Sequence, residues 1–158
     1  MEIFNREIVI KQMNMKTDLS KILSISGRHG LVRYLAQTRG GAIVESLSDG
    51  KRTVASASNR ITSLADISIY TEEGETKLKE VLLKLKEVLG EGAAPSGKAD
   101  AEELKALFAK AIPDYDETRF YVSHMRKVVD WYNEIKDHAS FDFADPEEEA
   151  EEKGEEEA

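Results

Sequence analysis

The chain contains no cysteine. That removes disulfides, thiolate metal sites and cysteine nucleophiles together, and it fits a reducing compartment. Long apolar runs are missing too: no stretch approaches the roughly 18–20 apolar residues of a bilayer-spanning helix. The first ten residues, MEIFNREIVI, place Glu2, Arg6 and Glu7 among the apolar ones. The uninterrupted apolar stretch of about 7–15 residues that marks a signal peptide is therefore not there. A cytoplasmic setting is expected. Histidine occurs only at His29, His124 and His138, and no two of these stand at metal-ligand spacing. No serine sits in a glycine-flanked elbow, so no nucleophile–base set is evident. The chain is expected to be a non-enzyme, with no catalytic residue, cofactor or metal.

Charge is plentiful. Charged residues make up 34% and hydrophobic residues 41% of the 158, as in a water-soluble globular chain. The net charge of −9 is concentrated at one end, because residues 142–158 hold ten acidic side chains and one lysine. The other 141 residues hold 21 of each sign. Within them, residues 1–70 carry ten Lys/Arg against six Asp/Glu, and residues 71–141 carry eleven against fifteen. The stretch 142–158 has too little apolar surface to offset its ordering entropy, and it is read as a disordered acidic tail.

The side-chain rhythm divides the rest. Residues 1–14 are an N-terminal extension, and the pattern starts at Met15, with Thr17 or Asp18 capping a helical turn through Leu23. From Leu31 the period is two. Strands are expected over Leu31–Gln37, Ala42–Leu47, Lys51–Ala57 and Asp66–Thr71, with a short helical turn at Ile61–Ala65. Arg39-Gly40-Gly41 and Asp49-Gly50 read as tight hairpin turns, the second of type I′. Four short strands suit a small, half-open SH3-like β-barrel, and an open curled sheet is the alternative.

After Glu72-Glu73-Gly74 the period is 3.6. Leu78, Val81, Leu82, Leu85, Val88 and Leu89 form one helix face, stopped by Gly90. A second helix, capped by Asp100, shows Leu104, Leu107, Phe108 and Ala111. A third, capped by Ser123, shows Met125, Val128, Val129, Tyr132 and Ile135, with Trp131 at the flank. The expected fold is α+β: an SH3-like module over 15–74, a three-helix bundle over 75–141 with a flexible linker at 90–99, then the tail.

TDLSKILSISGRHGL (17–31), GAIVESLSDGKR (41–52), LADISIYTEEG (64–74) and PDYDETRFYVSHMRKVVDWYNEI (113–135) resemble blocks of a bacterial family. Its members pair a small N-terminal domain of unknown function with a helical C-terminal one. The resemblance runs from about Met15 to Lys136. It implies the two-module architecture and a start near Met15, and it brings no activity, cofactor or catalytic residue.

Local motifs carry little chemistry. Gly92-Ala-Ala-Pro-Ser-Gly97-Lys98-Ala99 falls one residue short of a phosphate-binding loop: alanine stands where the magnesium-binding hydroxyl belongs, and a helix precedes it instead of a strand. Asp114-Tyr115-Asp116-Glu117 clusters carboxylates, but the sixth and twelfth residues from Asp114 are Arg119 and Met125, not the glycine and glutamate of a calcium loop. The aromatic residues around the last two helices read as packing, with Trp131 the candidate partner-binding anchor. Arg28, Arg33, Arg39, Lys51, Arg52 and Arg60 are the candidate nucleic-acid-binding residues, with Tyr34 and Tyr70 available for stacking. The leading expectation is a binding or adaptor protein acting through protein–protein contact. RNA or DNA binding by the β module is the alternative, and a carboxylate enzyme near Asp114–Glu117 is a second one.

Overall fold

A computed structural model describes residues 17–144 apart from His29 and Ala57. The expected extension at 1–14 and residues 145–158 of the expected tail lie outside the described residues, as does His29.

Asp18 caps a single 3-10 turn, Leu19–Lys21, by accepting the Ser20 amide at 2.9 Å. The turn stops there instead of running through Leu23, and strand β1, Ile22–Ile25, follows. Strands β2 (Leu31–Thr38), β3 (Gly41–Ser46) and β4 (Arg52–Ser56) make the expected meander. Strand β5, Ile61–Ser63, occupies most of the expected helical turn, and the 3-10 turn at Leu64–Asp66 comes after it. β5 returns to pair with β1, which gives a five-stranded antiparallel sheet in the order β4-β3-β2-β1-β5.

This sheet is not a closed barrel, since β4 and β5 remain its edges. Arg28, in the β1–β2 turn, reaches the β4 edge and donates to Thr53 Oγ1 at 2.8 Å and to the Val54 carbonyl at 3.2 Å. An edge carbonyl that would invite a foreign strand is thereby occupied. The hairpin turns depart from their expected geometry. Neither Gly40 nor Gly41 has positive φ, and in the next turn Gly50 does (71°) while Asp49 does not. A type I′ turn needs both central residues left-handed. Here the Asp49 carboxylate instead accepts the Lys51 amide at 2.9 Å.

The strand expected to complete the barrel leaves the sheet. β6 (Ser68–Thr71) pairs with β7 (Gly74–Lys77) in a separate hairpin. Three helices follow: α1 (Leu78–Leu89), α2 (Ala101–Ala111) and α3 (Val122–His138). Each buries the face its spacing predicts, except that Val88 of α1 is 40% exposed. Gly90 ends α1 with φ 63°, a left-handed conformation that suits glycine. The α3 cap is Tyr121 instead of Ser123, and its amide donates to His124 Nδ1 at 3.1 Å.

Two segments that read as unstructured are held in place. The loop after α1 is fastened to one flank of α3. Ala94 exchanges hydrogen bonds with the Asn133 amide group at 2.8 and 3.1 Å. The Gly97 amide donates to Asp130 Oδ1 at 3.0 Å, and Arg126 donates to the carbonyls of Gly97 and Ala99. At the end of the described chain, Asp142, Phe143 and Ala144 run alongside Thr17. Thr17 donates to the Asp142 carbonyl at 2.8 Å, and the Ala144 amide donates to Thr17 at 2.9 Å. Phe143 is buried, so the tail cannot begin at Asp142.

The modules share one core. Leu19, Ile22, Leu31, Leu64 and Ile69 from the β-rich part pack with the buried faces of all three helices. The opposite face of the sheet holds a smaller cluster of Leu23, Ile25, Val32, Ala42, Val44 and Ala55. β1 therefore buries both faces, and each fully buried aliphatic side chain stabilises the fold by about 1.5–3 kcal/mol.

Candidate binding face

Helix α3 places three kinds of side chain on three sides. One stripe is core, and Arg126, Asp130 and Asn133 hold the loop on a second side. The other flank, His124, Lys127, Trp131 and Glu134 at helical spacings of three and four, borders two grooves.

The first groove lies between α3 and β6, with a cavity of about 160 Å³. Ile67, Ile69, Phe120, Val128 and Trp131 supply apolar walls, and Arg119, His124 and Lys127 stand around them. No Asp or Glu among the described residues lines it. Its upper edge is rigidly built. Asp116 accepts from the Thr118 hydroxyl at 2.6 Å, from the Thr118 amide at 2.9 Å and from Arg119 Nε at 2.8 Å. These bonds, the Thr118 hydroxyl foremost, hold the Asp116 carboxyl down at about 2. Arg119 in turn lies over the Tyr70 ring at 4.5 Å. The Asp116 amide donates to the Tyr70 carbonyl at 3.0 Å, which ties this turn to β6. His124 stacks on Phe120 and Tyr121, and with Nδ1 accepting from Tyr121 its ring proton sits on Nε2. Burial, then the Glu117 charge, pushes the neighbouring Tyr115 phenol up.

The second groove, about 480 Å³, lies between α3 and the β1–β2 turn. Arg28, Lys127, Trp131, Asp130 and Glu134 line it with both signs of charge. Glu134 accepts the Leu31 amide at 2.8 Å, so this wall joins the helical part to the sheet. Lys127 and half-buried Trp131 border both grooves.

The candidate residues for nucleic acid are brought together only in part. Arg28 donates to Thr53 and to the Val54 carbonyl at the β4 edge, the Arg52 side chain faces Glu45, and Arg60 meets the β1–β2 turn only through its backbone carbonyl, which accepts from the Ser26 amide. Arg33, Glu45 and Arg52 stand opposite one another across β2, β3 and β4, with Arg52 and Glu45 3.6 Å apart. Opposite charge thus interrupts that row. Lys51 is exposed in the β3–β4 turn, whereas Arg39 lies in the β2–β3 turn at the other end of the strands. Trp131 shares a groove with Arg28 alone of the six. Arg119, His124 and Lys127 are not among the binding candidates that the sequence offers. Their signal was the spacing His124–Lys127–Trp131, which continues the edge of the apolar stripe.

Among the described residues no three of His, Asp and Glu gather as a metal site, and no helix is long and apolar enough to cross a membrane.

Comparison with known proteins adds architecture. Residues 19–64 match the domain of unknown function DUF5606, and residues 67–135 match the domain of unknown function DUF6852. The division falls before β6, earlier than the boundary at residue 74 read from the rhythm. A structural-genomics target from Bacteroides vulgatus, solved by solution NMR, is similar at 37% identity with a TM-score of 0.65. The match covers 76% of this chain and 87% of that one. No curated protein matches the chain. Neither domain description carries a specific function. With both domains present in this order and a relative of that identity matched over most of its length, the chain belongs to the family that joins DUF5606 to DUF6852.

Proposed function

We propose that this protein is a non-catalytic binding or adaptor protein that acts through protein–protein contact, with the Trp131 face as its contact surface. The observation that carries the proposal is the placement of half-buried Trp131 between two grooves, on the face where the sheet and helices meet. Tryptophan is enriched at binding hot spots because it offers a large rigid surface at low entropic cost. Of the carboxylates in Asp114–Glu117, that of Asp116 organises its own turn by accepting from Thr118 and Arg119. A cytoplasmic setting belongs to the proposal, on the strength of the cysteine-free composition.

The reading also treats the β-rich part as a half-open, SH3-like module and the helices as a bundle. The return of β5 to β1 supports the first, and the packing of α2 on both α1 and α3 supports the second. Both provide rigid walls for the grooves.

The test is cross-linking and pull-down from the native cell with the full chain, Trp131→Ala and Lys127→Glu. A stoichiometric protein partner captured by the wild type and lost in both folded variants is expected. Absence of a partner, or equal capture by all three, overturns the proposal. Nucleic-acid binding through the β-rich part is the second reading, favoured by the excess of basic over acidic side chains in residues 1–70. A salt titration against short RNA and DNA strands tests it, because phosphate binding weakens steeply with salt.

A further inference from the structure

We propose that the α3–β6 groove receives a short acidic protein segment that carries one aromatic residue. This rests on the protein-contact reading above and specifies its partner.

Size sets the first condition. An apolar cavity of about 150 Å³ accepts a benzene ring. The groove, at about 160 Å³, has room for one such side chain between β6 and Trp131. Charge sets the second. Arg119 and Lys127 are cationic, His124 lines the groove beside them, and no carboxylate among the described residues lines the cavity. A ring flanked by carboxylates satisfies both conditions. The electrostatic field then draws such a segment in, and the ring fixes its position.

Two features argue for a protein segment over a nucleic acid. Asp130 and Glu134 line the adjoining groove, so a phosphate chain continued past Trp131 would meet negative charge. The cavity seats one ring between apolar walls, and the two cations at its rim, Arg119 and Lys127, are too few to track a continuous phosphate row. The chain's own acidic stretch is a poor occupant. Residues 145–158 contain no aromatic side chain, so they could answer the charges around the groove but not fill it.

The single tryptophan makes the test direct, because its indole N–H gives one resonance at the groove wall. The full chain is titrated with three capped pentapeptides, Glu-Asp-Phe-Asp-Glu, Glu-Asp-Ala-Asp-Glu and Lys-Lys-Phe-Lys-Lys, and with a five-nucleotide thymidine strand. The first peptide should shift the Trp131 indole and the Lys127 and Ser68 amides saturably, with a Kd below about 1 mM, a modest strength for so small a ligand. The other three should bind at least tenfold more weakly. Lys127→Glu, an exposed substitution, should weaken the first peptide by about fivefold, the upper range for one exposed charge pair. Equal binding of the alanine peptide, equal or tighter binding of the basic peptide or the thymidine strand, or no saturable shift overturns the inference. If a stoichiometric partner still depends on Trp131 while the peptides fail, the acidic-segment idea falls and the protein-contact reading stands.

Discussion

Replacing Tyr132 with phenylalanine removes one oxygen atom from the centre of α3. The phenol is fully buried, its ring stacks on Phe141 at 4.6 Å, and its hydroxyl has no hydrogen-bond partner among the described residues. Leaving a buried hydroxyl unsatisfied costs about 1–3 kcal/mol, and the substitution keeps the ring and its packing. Tyr132→Phe should therefore stabilise the protein by about 1 kcal/mol, or roughly 3 °C in Tm for a chain of this size. Urea denaturation followed by circular dichroism measures the change. A second observable follows from ionisation. Burial raises the Tyr132 phenol above its usual pKa near 10. The unfolded chain then releases that proton first, so the native state binds more protons and stability falls as pH climbs past 10. The variant lacks this loss, and its advantage over the wild type should widen above pH 10. A variant destabilised by 1 kcal/mol or more at neutral pH, or an advantage that does not grow with alkalinity, would refute the claim that this hydroxyl is buried without a partner.

Asp116→Asn should lower Tm at neutral pH by loosening Thr118 and Arg119. Because the folded carboxyl is held at about 2 against an ordinary value near 3.8, the wild type's advantage should persist above pH 4 and vanish as pH falls through 2. Thermal melts across pH 2–7 check this. At Gly97, an added Cβ would crowd the Asp130 carboxylate, so Gly97→Ala should break the Gly97–Asp130 bond and cost about 1 kcal/mol. Hydrogen exchange of the 94–99 amides should speed up, and unchanged protection would count against the fastened loop. Deleting residues 145–158 should strengthen any nucleic-acid binding at about 20 mM salt, where screening is weak, if the acidic stretch competes for the same cations. Equal affinity of both forms would exclude that masking.

The helices were legible in the sequence because Leu78–Leu85, Leu104–Ala111 and Met125–Ile135 each bury a single stripe, which is the condition for a clean 3.6 period. β2 to β4 were legible from alternation and their turns. β1 was hidden because Ile22, Leu23 and Ile25 are all buried, so the alternation that betrays a half-exposed strand is lost. β5 spans three residues, too few to establish a period, and β7 reads Gly-Glu-Thr-Lys, a composition that strands avoid. The 94–99 loop looked free because its partners, Arg126, Asp130 and Asn133, lie about thirty to forty residues away on a helix side that reads as solvated. The same distance hid the candidate groove. Trp131 stood out by its type, but Arg119 and Lys127 gained meaning only when β6 was brought against α3.

The pairing of Thr17 with Asp142–Ala144 makes the body of the molecule a ring fastened by one clasp. Cutting back past either member of the clasp releases the other, so trimming the front of the chain should expose Phe143 as surely as trimming the back. Because both strands of the clasp point the same way, a permuted chain would need a bridging peptide long enough to double back. Opened in return at the exposed β2–β3 turn, such a chain should keep its core.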